Sequence, residues 1–307
     1  SCAVAMQERR RHAARRMNMK LVGTLLALLG VMVFPLRGAD EAAPAGGATE
    51  QPAQAKSAVQ IELLGLLEKI GDKAKNGQPL NETTLAEELA EFDRLLDAHK
   101  DEKTDDVAQV LVMKAGLYLE VLGDLDKAAA LFRRLKEELP ASSQAREADN
   151  ILKAIAIQRE ALRIQEGLKP GVPFPDFDAK DIEGNPLSIG RLKGTVVLVD
   201  FWATWCPGCV EELPHQVALY KKYKARGLEI IGVNMDRERA TLDEGLKQHG
   251  ITWPQYFDGK FWNTALAEKY GITQLPFNLL IDGDGRIVGK NLHGAQLDAA
   301  LVSLLGP

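Results

Sequence analysis

One short segment constrains this chain more than any other. Val196 to Trp202 (VVLVDFW) is a β-rich, largely apolar run, and Cys206-Pro207-Gly208-Cys209 follows it after Ala203-Thr204-Trp205. Such a run predicts a buried central strand, and the pattern from Pro207 to about Arg226 predicts a helix. A strand that delivers a Cys-x-x-Cys onto a helix N-terminus commits this half of the chain to an α/β architecture. It also sets up a chemistry. Unpaired N–H groups and the positive end of the helix dipole stabilise a thiolate on the first cysteine, lowering its pKa from ~8.5 into the range ~3.5–7.5. Cys206 is therefore the expected nucleophile, and Cys209, one turn on and more buried, the expected resolving thiol.

The chain has 307 residues, about two domains' worth, with 46% hydrophobic and 26% charged residues, which fits a soluble globular protein. Its net charge of −5 supplies no basic field, so nucleic acid is not an expected partner. Three cysteines exclude a disulfide-stapled miniprotein, and Cys2 stands apart at the N-terminus. A zinc site would need two further ligands, but no second cysteine pair and no metal-spaced pair among His12, His99, His215, His249 and His293 supplies them. Fourteen of the eighteen aromatic residues, including all four tryptophans, fall after residue 170, so the two halves differ in material.

Residues 1–39 read as a signal peptide or an N-terminal anchor, with residues 1–16 an over-extended start. Leu21 to Phe34 is an apolar run of fourteen residues behind Lys20. That is too short for a comfortable membrane span, which needs ~20 residues. Cleavage and retention both stay open, and the expected location is extracytoplasmic, in the periplasm, either soluble or tethered. Residues 40–56, rich in Ala, Gly and Pro, read as a flexible linker.

From 57 to 169 the pattern is helical, with breaks at Asn76-Gly77-Gln78-Pro79, Gly123-Asp124, Pro140 and Lys169-Pro170. Thr84 and Glu87 have the spacing of a capping box. Ala108 to Pro140 resembles a tetratricopeptide repeat: Gly116, Ala128, Phe132 and Pro140 fall at that family's small, small, aromatic and proline positions. The resemblance implies a partner-binding or self-associating helical domain. A plain helical bundle that orients the second half is the competing expectation.

Residues 170–307 carry a stronger resemblance. FWATWCPGC, with Glu212 and Pro214 behind it, resembles the thioredoxin superfamily, and within it the TlpA/ResA-like extracytoplasmic thiol-disulfide oxidoreductases. The implied fold class is two-domain: an all-α, tetratricopeptide-like domain followed by an α/β thioredoxin fold with an N-terminal β-hairpin extension and a β/α insertion. Strands are expected at Leu228 to Asn234, Phe277 to Asp282 and Ile287 to Asn291, and helices at Arg239 to His249 and Trp262 to Gly271. Leu275-Pro276 matches the family's cis-proline, which would keep the backbone beside the dithiol open for an extended client chain.

The same resemblance implies the remaining site residues. Asp200, six positions before Cys206, and Glu212, three after Cys209, match acidic residues that take the proton released by the second thiol. A capping or solvated carboxylate is the plainer reading of each. Trp205, Pro207, Gly208, Leu275 and Pro276 would line the client site, while Trp202 reads equally well as core. Asp282-Gly283-Asp284-Gly285 reads as a turn rather than a calcium loop.

The expected function is an exported thiol-disulfide oxidoreductase that reduces client disulfides, apocytochrome c among them, through a mixed disulfide on the Cys206/Cys209 pair. No cofactor beyond that redox-active disulfide is expected, and a membrane-bound thiol donor would restore the dithiol. Reductase and oxidase directions both remain open on the residues alone. The rival readings are a peroxiredoxin-like thiol peroxidase using Cys209 and a non-enzymatic scaffold that binds clients. The peroxidase reading places Ala203 and Cys206 where that family has its active-site proline and threonine.

Overall fold

The computed structural model describes residues 55–307, so the expected signal segment and nearly all of the expected linker lie outside the described residues. The chain divides into two compact units between Ile155 and Ala156.

The first unit is helical. Helix α1 (Ala58–Lys75) opens on a capping box, in which Ser57 Oγ accepts from the Gln60 N–H and Gln60 Oε1 accepts from the Ser57 N–H. Helix α2 (Ala86–Ala98) departs from the expected Thr84–Glu87 box. Asn81 and Thr84 instead exchange backbone-to-side-chain hydrogen bonds of 3.0 Å, and the cap position, Leu85, is fully buried and caps nothing with its side chain. Leu85 is drawn into the core, and the polar pair forms a turn just before it. Helix α3 (Asp105–Gly116) runs on as a π-helical segment over Leu117–Leu122 and stops at Gly123, whose φ of 68° favours glycine. Helix α4 (Leu125–Glu138) starts from Asp124, which accepts from the Lys127 N–H. Ala128 and Phe132 are both buried in this unit's core beside Leu111, Leu117 and Leu135. Small residues at Ala108, Ala115 and Ala128 keep facing helices close enough for that core to pack. Helix α5 (Ser143–Gly167) contains the division between the units.

The second unit is a mixed sheet with strand order β5-β4-β3-β6-β7, preceded by a small hairpin of β1 (Ala179–Lys180) and β2 (Pro186–Leu187). Strand β3 (Val196–Trp202) lies at the centre with every residue buried, parallel to β4 (Leu228–Asn234) and antiparallel to β6 (Phe277–Ile281). A run with apolar residues on both faces needs cover on both, and a central strand is where it finds it. Strand β5 (Gln255–Tyr256) extends the parallel side, and β7 (Ile287–Lys290) forms the other edge. Backbone hydrogen bonds from the segment around Gly171 and Phe174 cover that edge. The Asp282 carboxylate accepts from the N–H groups of Asp284 and Arg286, which closes the β6–β7 turn.

Around the sheet lie α6 (Pro207–Tyr223), α7 (Arg239–His249), α8 (Ala265–Tyr270) and α9 (Ala295–Leu305). The single helix expected over Trp262 to Gly271 is divided. A 3₁₀ turn covers Phe261–Asn263, Thr264 is extended (φ −63°, ψ 136°), and α8 begins after it. Asp258 explains the break, because its carboxylate accepts from the Ala265 N–H and so takes over the capping of α8.

Gly271 ends α8 at a φ of 65°, and a Cβ there would sit 2.6 Å from the Ala161 carbonyl oxygen. Gly271→Ala is therefore expected to destabilise this unit by about 2–3 kcal/mol, through left-handed strain and overpacking together. Urea unfolding followed by tryptophan fluorescence measures it, and an unchanged midpoint would show that the backbone yields freely there.

Candidate active site

Strand β3 ends at Trp202, and the chain turns through Ala203 to Trp205 before Cys206 caps α6. Asp236, buried just beyond β4, holds this turn: its carboxylate accepts from the Thr204 N–H and hydroxyl and from the Asn234 side-chain amide. Trp202 is fully buried and donates its indole N–H to Gln255 Oε1 at 3.0 Å, so it belongs to the core.

At the helix start, the Cys209 N–H donates to Cys206 Sγ at 3.2 Å. Pro207 occupies the first turn, where its missing N–H costs nothing. Cys206 and Cys209 are joined in a disulfide, with their Cα atoms 5.2 Å apart, and both are buried. A Cβ on Gly208 would meet Pro276 Cδ at 3.3 Å, so the proline ring lies directly against the dipeptide between the cysteines. The Leu275–Pro276 bond is cis, and Leu275 is half-buried against the core.

Trp205 is 42% exposed beside this pair. Its ring lies 5.0 Å from that of Phe261 and 5.7 Å from that of Trp262, and the Arg237 guanidinium covers Phe261 at 4.1 Å. Phe261 takes a φ of 57°, uncommon for a bulky residue, within the 3₁₀ turn that presents the two rings.

The two expected acidic residues lie on the strand and the helix that flank the cysteine pair. Asp200, on β3, is only 2% exposed. Burial pushes its carboxyl up to about 7, the Gln216 side chain opposes that by hydrogen bonding, and the charge of Glu212 adds to the rise. Glu212, one turn beyond Cys209 on α6, keeps 26% of its side chain exposed. Pro214 lies inside the same helix. Among the described residues, no cluster of three or more His, Cys, Asp or Glu side chains is arranged to hold a metal ion.

The structure thus gathers Asp200, Trp205, Cys206, Pro207, Gly208, Cys209, Glu212, Leu275 and Pro276 around one strand-to-helix junction. Reading the sequence did not single out Asp236, Gln216, Phe261 or Trp262. The acidic, amide and aromatic residues were visible, but their relation to the cysteines arises from distant contacts such as that of Thr204 with Asp236, 32 residues apart. Local spacing does not carry such a contact.

Residues 170–290 match the AhpC/TSA family model. The chain is 35% identical over 126 residues to a thiol-disulfide oxidoreductase ResA of Bacillus cereus, covering 41% of this chain and 71% of that protein. It is 35% identical over 141 residues to the ResA of Bacillus anthracis, covering 46% of this chain and 79% of the relative. Among solved structures, the thioredoxin domain of a thiol-disulfide oxidoreductase from Bacteroides vulgatus is 31% identical and aligns with a TM-score of 0.42, over 45% of this chain and 99% of that one.

Proposed function

Because this chain belongs to the family of ResA thiol-disulfide oxidoreductases, we propose that it runs as a reductant of client protein disulfides, with Cys206 as nucleophile and Cys209 as resolving thiol. The observation that carries this reading is the Cys206–Cys209 pair at the N-terminus of α6, with the Pro276 ring packed against Gly208. In the reduced protein, the Cys206 thiolate attacks one sulfur of a client disulfide. A mixed disulfide forms, and the first client thiolate leaves. Cys209 then passes its proton to a carboxylate, Glu212 or Asp200, and attacks Cys206 Sγ, so that the second client thiolate departs and the Cys206–Cys209 bond closes. Two electrons have moved to the client, and a membrane-bound dithiol donor returns them.

Charge favours the reducing direction. Pro207-Gly208 places no cation beside Cys206, whereas Glu212 stands one turn beyond Cys209 on the same helix. Negative neighbours oppose thiolates and so favour the disulfide, which makes the dithiol the better electron donor.

Trp205, with Leu275 and Pro276, provides the apolar wall on which an extended client segment rests. Trp205→Ala is expected to raise KM for a protein disulfide by about threefold to tenfold with little change in kcat, the size of one aromatic contact. Steady-state insulin reduction measures it, and an unchanged KM would remove Trp205 from the client site.

The wider organisation follows the same proposal. Residues 1–39 direct export to the periplasm, 40–56 link, 57–169 form a tetratricopeptide-like domain that binds a partner or a second copy, and 170–307 carry the chemistry. Burial of Ala128 and Phe132 in the core of this unit supports the repeat reading, whereas Gly116 has open space beside it rather than a facing helix. Apocytochrome c is the proposed client, and reduction of a peptide carrying its disulfide by the purified dithiol form tests that choice.

A further inference from the structure

Two consecutive residues after β4 hold the two residues that precede the nucleophile. The Asp236 carboxylate accepts from the Thr204 N–H at 3.2 Å and from its hydroxyl at 2.8 Å. Arg237 reaches Trp205 through one intermediary: its guanidinium lies 4.1 Å from the centre of the Phe261 ring, and that ring lies 5.0 Å from the Trp205 ring. Trp262 packs against both rings, at 5.7 and 5.9 Å. Trp205 is bonded directly to Cys206, so the bonds of Asp236 to Thr204 set the guanidinium at a fixed reach from the nucleophile.

This cation is exposed, and among the described residues no carboxylate lies in ion-pair range of it, whereas Arg239, two positions on, is paired with Asp243. A guanidinium lying over a ring keeps its fork of N–H donors for a carboxylate, which it can bind through two of them. Phe261 holds its ring there at a φ of 57°, which a bulky residue keeps only where the surrounding structure over-determines it, as at ligand clamps. Steps of 5.0 and 4.1 Å separate Trp205 from the guanidinium, a span that about three residues of extended chain cover at ~3.3 Å each.

We propose that this shelf selects client segments with an aspartate or glutamate about three residues from the reactive cysteine: Arg237 takes the carboxylate, and the Trp205 and Phe261 rings take the chain between. This rests on the proposed reading that a client disulfide meets Cys206 beside Trp205. The net charge of −5 disfavours acidic clients at long range, so a preference for them has to arise from a local cation.

The test uses the full chain, reduced, and three peptides that differ in one residue type. Each has a single internal disulfide and carries Glu, Gln or Lys three residues outside each cysteine. Acid quenching and intact mass give the rate at which each peptide oxidises the protein at pH 7, and its rate with dithiothreitol corrects for the reactivity of the peptide itself. Wild type should then react about threefold to tenfold faster with the Glu peptide than with the Lys peptide, the size of one exposed attraction and one exposed repulsion together. That ratio should shrink toward one in about 0.5 M salt. Arg237→Gln should bring it to about one, and Arg237→Glu should invert it. Equal corrected rates in wild type, or a wild-type ratio in Arg237→Gln, overturn the inference and leave the dithiol chemistry standing. Wild type oxidised by none of the peptides faster than Cys206→Ser overturns the client reading itself, and the inference with it. If thermal melting shows Arg237→Gln to be unfolded, Arg237→Glu decides: an inverted ratio supports the inference, and a wild-type ratio overturns it.

Discussion

Cys206→Ser is expected to lower insulin-disulfide reduction by more than about 1,000-fold, because the thiol that caps the helix and makes the first attack on the client is gone. Cys209→Ser should fail differently. Its Cys206 thiolate still attacks, and the Cys206 Sγ that accepts from the residue 209 N–H remains at the helix start. The mixed disulfide then has no internal thiol to resolve it, so a covalent client adduct accumulates and turnover stops after one event. Non-reducing gels distinguish the two variants: the adduct should appear with Cys209→Ser and be absent from Cys206→Ser. Equal turnover by wild type and Cys206→Ser would end the enzymatic reading in favour of a client-binding scaffold. Peroxide consumption that survives Cys206→Ser and disappears with Cys209→Ser would favour the peroxidase reading.

Asp200→Asn should produce the second large effect, this time on stability. The buried Asp200 carboxyl is raised from 3.8 to about 7 by desolvation. Between those values the folded protein holds a proton that the unfolded chain has released, so unfolding sheds a proton and stability falls as pH rises. The contribution of the protonated acid is intact below pH 4 and is lost as pH climbs to about 7, where the buried group must ionise. The loss is on the order of 4 kcal/mol at full size. Asparagine keeps a neutral polar group facing Gln216 and never ionises. Asp200→Asn should therefore be more stable than wild type by a few kcal/mol at pH 8 and nearly equal to it at pH 4. Urea titrations of the oxidised protein at the two pH values measure the difference. A gap of the same size at both would mean that ionisation of Asp200 is not its cause.

What could be read from the sequence follows from the range of the interactions responsible. Strands Val196–Trp202 and Leu228–Asn234 and the helix Arg239–His249 emerge at the expected residues because their signals are local: short, β-branched and largely apolar runs for the strands, and a periodic stretch ended by Gly250 in the left-handed region for the helix. The cysteine pair is equally local, since its chemistry depends on the strand and helix immediately flanking it. Phe261 and Trp262 are different. They reach Trp205 only because Thr264 interrupts the chain and Asp258 caps α8, and the periodic pattern over Trp262 to Gly271 conceals that break. The start of α2 misleads for a related reason. Thr84 and Glu87 have the right spacing, but burial of Leu85 draws the chain inward and Asn81 becomes the partner of Thr84. Asp200 was visible as a position, whereas its high carboxyl value comes from the enclosure of β3 by the whole sheet and its flanking helices.

The central claim is that Cys206 and Cys209 form a dithiol poised to give electrons to client proteins. Its most direct test is the reduction potential of the pair, measured by equilibrating the full chain against a dithiothreitol or glutathione series and counting free thiols. A reductant with no cation between its cysteines and an acidic residue one turn behind them should lie near thioredoxin, at about −270 mV. A value near about −120 mV, that of a strong oxidant, would contradict the account.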